Sequence, residues 1–275
     1  MKAEAQAPGL LAALVRESER RVAAARPAAA ELERLAARAP APPDFGAALA
    51  AGTSVAVIAE IKRKSPSAGA LWQGDVAELA SRLEASGASA LSVLTEGDHF
   101  AGSLDDLSRV AAAVRVPVLR KDFILDAVQL YEARAHGAAA VLLITRILEA
   151  GRLEELVALA HELGLATLVE VHRAAELKTA LAAEPTAVGA NARDLDTLAM
   201  DRGLVERLIG SIPADRVAVA ESGLKSRADV ETLGRRGADA VLVGAAIAGA
   251  HDPGAAMRGL AGVPRRKSVR ERTAG

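Results

Sequence analysis

From Ser54 onward the chain repeats one theme: a short apolar run, an amphipathic stretch, another apolar run. The runs are Val55–Ile61, Ala90–Leu94, Pro117–Phe123, Ala140–Ile144, Ala166–Val171, Ala187–Ala190, Val217–Ala220 and Ala240–Val243. Between them lie segments with helical spacing, such as Val76 to Ser86, Leu104 to Val114, Asp126 to His136 and Leu153 to Leu163. Strands apolar on both faces and alternating with helices predict a parallel sheet covered by helices. Gly87-Ala88, Gly137-Ala138 and Gly237-Ala238 each precede such a run, and Gly164 does the same before Ala166. This reads as a helix ended by a left-handed glycine, a tight turn and a buried strand. About eight strands over ~220 residues fit an α/β (β/α)8 TIM barrel. A doubly wound open sheet is the alternative, but no glycine-rich dinucleotide fingerprint follows the first strand.

Residues 1–50 differ from the rest. Leu10, Leu11, Leu14, Val15 and Val22 recur at helical spacing, opposite Arg and Glu residues. Pro27 ends or restarts that helix, and Ala28 to Arg38 reads as a second. The segment holds too few large apolar residues for a core of its own, so it is expected to be an N-terminal helical extension of a barrel spanning 51–264. The basic, apolar-poor stretch 265–275 reads as a solvated tail.

Composition narrows the function. Lys and Arg number 34 against 35 Asp and Glu, so no bulk positive field exists for nucleic acid or membrane binding. Zero Cys excludes thiolate metal sites and a Cys nucleophile. Aromatic residues at 2% leave no base-stacking platform. No apolar run approaches the ~20 residues of a membrane span, and no convincing secretory signal is present. The expected location is the cytoplasm.

Ionisable residues then appear where an apolar core is expected. Glu60 and Lys62 share a face at the end of the first barrel strand, and Leu119, Lys121 and Phe123 share one on the third. Glu170 ends the fifth, Asn191 and Arg193 the sixth, and Glu221-Ser222-Gly223 the seventh. Charges are rarely buried unpaired, and several at the C-terminal ends of different strands point to a barrel active site. A structural ion-pair network is the alternative. Ser222-Gly223 and Gly244-Ala245 stand where barrels commonly bind phosphate through backbone N–H groups. The run Lys62–Ser67 adds donors, although such basic runs are usually solvated loops. The five His lack ligand spacing, so no metal is expected. His172 reads as a loop residue. Trp72 fits a lid or helix packing equally. Phe100 and Phe123 flank the site positions.

These residues resemble a known family. Ile58-Ala59-Glu60-Ile61-Lys62-Arg63-Lys64-Ser65-Pro66-Ser67 is similar to the first-strand motif of indole-3-glycerol phosphate synthases. Ser92-Val93-Leu94-Thr95-Glu96 with His99-Phe100-Ala101-Gly102-Ser103, Pro117 to Ile124, Val169-Glu170-Val171-His172, Gly189 to Leu195, Ala220-Glu221-Ser222-Gly223 and Val243-Gly244-Ala245 continue it in order. The sixth-strand motif departs by having Ala190 and Ala192, and the eighth by having Ala245 in place of Ser.

The resemblance implies a decarboxylating carbon–carbon lyase of tryptophan biosynthesis. It would convert 1-(2-carboxyphenylamino)-1-deoxyribulose 5-phosphate to indole-3-glycerol phosphate without a cofactor. By the same resemblance Lys121 is the acid for ring closure, Lys62 the acid for dehydration and Glu170 the base. Glu60 and Asn191 orient these groups. Arg193, Ser222, Gly223, Gly244 and Ala245 hold phosphate, with Ser65 assisting. Phe100, Phe123, Leu142 and Leu195 wall the aromatic ring. The expected partner is a phosphorylated small molecule, and association with other tryptophan-pathway enzymes stays open. Two rivals remain at this stage: a Schiff-base aldolase using Lys121, and a non-catalytic barrel scaffold. Phosphoribosylanthranilate isomerase, a neighbouring barrel, uses a Cys that this chain lacks.

Overall fold

The computed structural model describes residues 9–66, 69–193 and 199–266. Three helices come first: α1 (Leu10–Ala25), α2 (Ala29–Arg38) and α3 (Phe45–Ala50). Pro27 lies in a single 3-10 turn, Arg26–Ala28, that joins α1 to α2. The barrel strands are β1 (Ala56–Ile61), β4 (Ala90–Leu94), β5 (Val118–Lys121), β6 (Ala140–Ile144), β7 (Ala166–Val171), β8 (Ala187–Asn191), β9 (Val217–Glu221) and β10 (Ala240–Val243). Two short strands, β2 (Lys64–Ser65) and β3 (Gly69–Ala70), pair antiparallel after β1. The outer helices are α4 (Val76–Ala85), α5 (Leu104–Ala113), α6 (Ala127–Ala135), α7 (Ala150–Glu162), α8 (Ala174–Ala182), α9 (Arg202–Ser211), α10 (Arg227–Arg235), α11 (Ala245–Ala248) and α12 (Pro253–Leu260).

The eight strands are parallel and close in the order β1-β10-β9-β8-β7-β6-β5-β4. This is the expected (β/α)8 barrel, and the open-sheet alternative falls because β1 pairs with both β4 and β10. The repeated glycines hold the positive φ the sequence implied: 99° at Gly87, 84° at Gly137, 72° at Gly164 and 96° at Gly237. A side chain there would be strained, so glycine permits the abrupt entry into each strand.

Two apolar layers result. The outer one packs helices against the barrel, with Leu83, Leu107, Leu130, Leu156 and Ile209 buried. The inner one joins Ile58, Leu119, Leu142, Leu168, Val219 and Leu242 to a set of alanines that includes Ala56, Ala90, Ala140 and Ala240. Such small residues leave space, which Phe45 and Leu49 of α3 fill, both fully buried. Helix α3 is not signalled by sequence periodicity because it is too short to show a period, although Asp44 caps it by accepting from the Ala47 N–H. Leu11 and Leu14 of α1 join the same layer as Phe123, placing α1 beside the third barrel strand.

The solvated-tail expectation fails at Arg265. Its side chain is 2% exposed and bridges Asp239 at 3.1 Å, and it donates to the Ala50 carbonyl at 2.8 Å. A basic residue in an apolar-poor segment looks solvated in sequence, but its partners come from distant segments.

Candidate active site

A cavity opens where the strands end. Glu60, Lys62, Lys121, Asn191, Arg193 and Ser222 reach it from four strand ends, with Ser65 from β2 and Ala245 from the start of α11. Its apolar wall is Phe100, Phe123, Leu10, Leu14, Leu71 and Leu94. The converging charges are therefore assembled by strand alternation, as expected. Two wider grooves flank α1, and in one of them Arg26 and Arg152 both pair with Asp126.

The electrostatics of the mouth are tightly coupled. Glu60 is 5% exposed and bonds to Lys62. Burial pushes its carboxyl up, but Lys62 and Lys121 pull it below its ordinary value. Burial opposes the charge on Lys121, yet Glu60, Glu170 and Glu221 together hold its ammonium above the usual lysine range. Glu170 and Glu221 are both 1% exposed and interact directly. Burial and the negative charge of Glu170 push Glu221 well up, so Glu221 is the protonated member of the pair. Against its own burial, His172 and Lys121 pull Glu170 down into the ionised form.

Glycines make room for these carboxyls. A Cβ at Gly189 would lie 2.0 Å from Glu221 Oε1. One at Gly244 would lie 2.3 Å from Glu60 Oε1 and 2.9 Å from Lys62 Nζ. Neither side chain could keep its position against such contacts. Ser222, with φ 65°, is one of few non-glycine residues in the left-handed region, and Gly223 follows at 74°. Strain of this kind costs ~1–3 kcal/mol and gathers at functional sites.

The model for indole-3-glycerol phosphate synthase matches residues 11–260. The chain belongs to the indole-3-glycerol phosphate synthase family. It is 49% identical over 248 residues to the indole-3-glycerol phosphate synthase of Mycolicibacterium vanbaalenii, covering 89% of this chain and 91% of that one. It is also 49% identical over 231 residues to indole-3-glycerol phosphate synthase 1 of Streptomyces coelicolor, covering 84% and 86%. A solved thiamine phosphate pyrophosphorylase from Pyrococcus furiosus shares the fold, with TM-score 0.56 and 17% identity over 80% of this chain and 96% of that one.

Not every residue expected to serve an indole-3-glycerol phosphate synthase lines the cavity. Leu142 is 1% exposed and packs inside the barrel with Leu119 and Leu168, so it supports the floor rather than the wall. Glu170 lies buried next to Lys121 and Glu221. Gly244 leaves open the space that Glu60 and Lys62 occupy, while Gly223 opens with Ser222 toward a neighbouring cavity beside Arg202. Leu195 lies outside the described residues. His172 lies in the loop after β7, as expected, yet it is buried at 5% exposed, with Nε2 3.2 Å from Glu170 Oε1. Trp72 packs on the outer layer, and Leu71 lines the mouth instead.

Sequence reasoning assigned no role to Leu10, Leu14, Leu71, Leu94, Glu221 or His172. For Glu221 the signal was present, since it ends its strand as Glu170 does. For Leu10 and Leu14 no spacing could say which surface α1 would cover.

Proposed function

We propose that this mouth carries out the family reaction with Lys121 as the acid that closes the ring. The protein is an indole-3-glycerol phosphate synthase by family, a decarboxylating lyase acting on a phosphorylated small molecule. The observation that carries the residue assignment is Lys121, set beside Glu60, Glu170 and Glu221 and facing the Phe100–Phe123 wall.

The substrate's ring carbon is a weak nucleophile, so its attack on the ketone needs a proton delivered to the ketone oxygen as the bond forms. Lys121 is held as the ammonium and lies at the cavity surface, which suits a proton donor. The same property weighs against a Schiff-base aldolase, whose lysine must shed its proton to attack a carbonyl. After closure the ring carbon–carboxylate bond breaks, its electrons restore the aromatic ring, and CO2 leaves. Lys62 then protonates the departing hydroxyl, and Glu170 takes the proton whose loss completes the indole. Glu60 and Asn191 orient the two lysines and the substrate hydroxyls. Arg193, Ser65, Ser222 and the backbone at Gly223, Gly244 and Ala245 receive the phosphate. Phe100, Phe123 and the leucines of α1 enclose the ring, holding it in a near-attack geometry.

The two acids are separable by experiment. In a single turnover followed for both CO2 and indole fluorescence, Lys121→Met is expected to release neither. Lys62→Met is expected to release CO2 but form indole slowly. Release of CO2 by Lys121→Met at the wild-type rate would reverse the assignment.

A further inference from the structure

The end of β7 holds an imidazole to which the proposed mechanism gives no task. His172 lies two residues beyond Glu170, and its side chain is 3% exposed. Nε2 stands 3.2 Å from Glu170 Oε1, and neither ring nitrogen has a hydrogen-bond partner elsewhere among the described residues. A buried imidazole with two bare nitrogens is costly unless a neighbouring charge offsets the loss of water. That charge is the Glu170 carboxylate.

The backbone around the pair is fixed independently. The His172 N–H donates to Glu176 Oε2 at 2.6 Å. Thr145 Oγ1 lies 3.1 Å from the same carboxylate oxygen and 2.9 Å from the Glu170 carbonyl. Glu176, on the first turn of α8, therefore anchors the strand end without using the imidazole ring.

Glu170 has several competing neighbours. Lys121 attracts it from β5, Glu221 offers a proton from β9, and Glu60 repels it from β1. Left untethered, it would swing onto the Lys121 ammonium, which would remove a base and disturb an acid.

We propose that His172 is a positioning residue for Glu170: its Nε2–H holds Oε1 and keeps the carboxylate from swinging onto Lys121. This rests on the assignment of Glu170 as the base of the dehydration step. The present contact is close without being well aligned, and catalytic hydrogen bonds commonly tighten once substrate is bound.

The experiment compares His172→Met, His172→Gln and Glu170→Gln in single turnovers read for both CO2 and indole. His172→Met is expected to release CO2 near the wild-type rate, to form indole ~10–100-fold more slowly, and to leave KM within about threefold. His172→Gln is expected to recover at least ~10-fold of that loss, because an amide nitrogen can occupy the place of Nε2 and donate. Wild-type indole formation in His172→Met, with Glu170→Gln inactive, would overturn the tether and leave the base intact. An active Glu170→Gln would instead overturn the base assignment. Nitrogen NMR of the wild-type imidazole provides a readout that needs no stable variant. A ring carrying its proton on Nε2 is expected, and a neutral ring protonated only on Nδ1 would contradict the proposal.

Discussion

Arg21 holds Asp122 through two 2.8 Å hydrogen bonds, one residue beyond Lys121. Asp122 is fully buried and also receives Thr95 Oγ1 at 2.6 Å and Arg120 at 3.1 Å. Ser18, one turn earlier on α1, donates to the Phe123 carbonyl. The helix that precedes the barrel thus grips the backbone on which both the proposed acid and a wall residue stand.

Arg21→Met is therefore expected to cost stability and activity together. Removing one partner of a buried charge pair costs ~3–5 kcal/mol, and the partial exposure of Arg21 together with the remaining Arg120 lowers this to about 2. Urea unfolding checks the first effect. The second should appear as a lower kcat, since Lys121 and Phe123 lose their restraint. An unchanged kcat would confine α1 to stability.

Asp122 also sets a pH dependence. Burial raises its pKa, but Arg21, Arg120 and Thr95 hold it well below the usual carboxylate range. A depressed folded-state pKa gives stability that is complete above the unfolded value near ~4 and is lost as pH falls toward the folded one. Asp122→Asn should flatten the fall of Tm below about pH 4 while lowering Tm at neutral pH. An acid limb identical to wild type would place that sensitivity elsewhere.

The activity profile follows from the opposite shifts of the proposed acid and the proposed base. Lys121 is raised, so it stays protonated through neutral and mildly alkaline pH, and Glu170 is lowered, so it stays ionised. Between about pH 7 and 9 these two groups should leave kcat flat within roughly twofold. A basic limb centred below pH 9, abolished by changing Lys121, would mean that its neighbours do not hold the proton as described.

Gly244→Ala tests whether the carboxylate of Glu60 needs the space beside it. The added Cβ would press on Glu60 Oε1 at 2.3 Å and Lys62 Nζ at 2.9 Å, forcing the pair to shift. We expect kcat/KM to fall by roughly 10-fold or more, as misplaced catalytic groups usually cost, with Tm changed by only a few degrees. Wild-type kinetics would show that the pair can move without consequence.

The sealed lower end of the barrel should behave as ordinary core. Phe45→Ala removes a fully buried ring from among alanines that cannot expand to replace it. The expected loss is ~3–5 kcal/mol in urea unfolding, with kcat little changed at a temperature where the protein stays folded. A loss under about 1 kcal/mol would mean that α3 does not close the barrel.

The barrel was legible because buried parallel strands write themselves as apolar runs, and because Gly87, Gly137, Gly164 and Gly237 mark strand entries by backbone need. Strand alternation was enough to bring Glu60, Lys62, Lys121 and Asn191 to one cavity, whereas Ser222 enters it through a left-handed turn after β9. What stayed hidden depends on long-range packing. The periodicity of α1 showed an apolar stripe but not that Leu10 and Leu14 would face the mouth. Arg265 meets Asp239 and the end of α3 only after the barrel closes. His172 sits just beyond the strand, where alternation no longer tells inside from outside.

The most direct measurement is indole emission from the purified protein with 1-(2-carboxyphenylamino)-1-deoxyribulose 5-phosphate, run beside Lys121→Ala. Wild type should form indole-3-glycerol phosphate, and the variant, folded to the same Tm within a few degrees, should lose ~10²–10⁴-fold in kcat. Undiminished turnover in Lys121→Ala would remove the proposed acid, and no product from folded wild type would contradict the reaction itself.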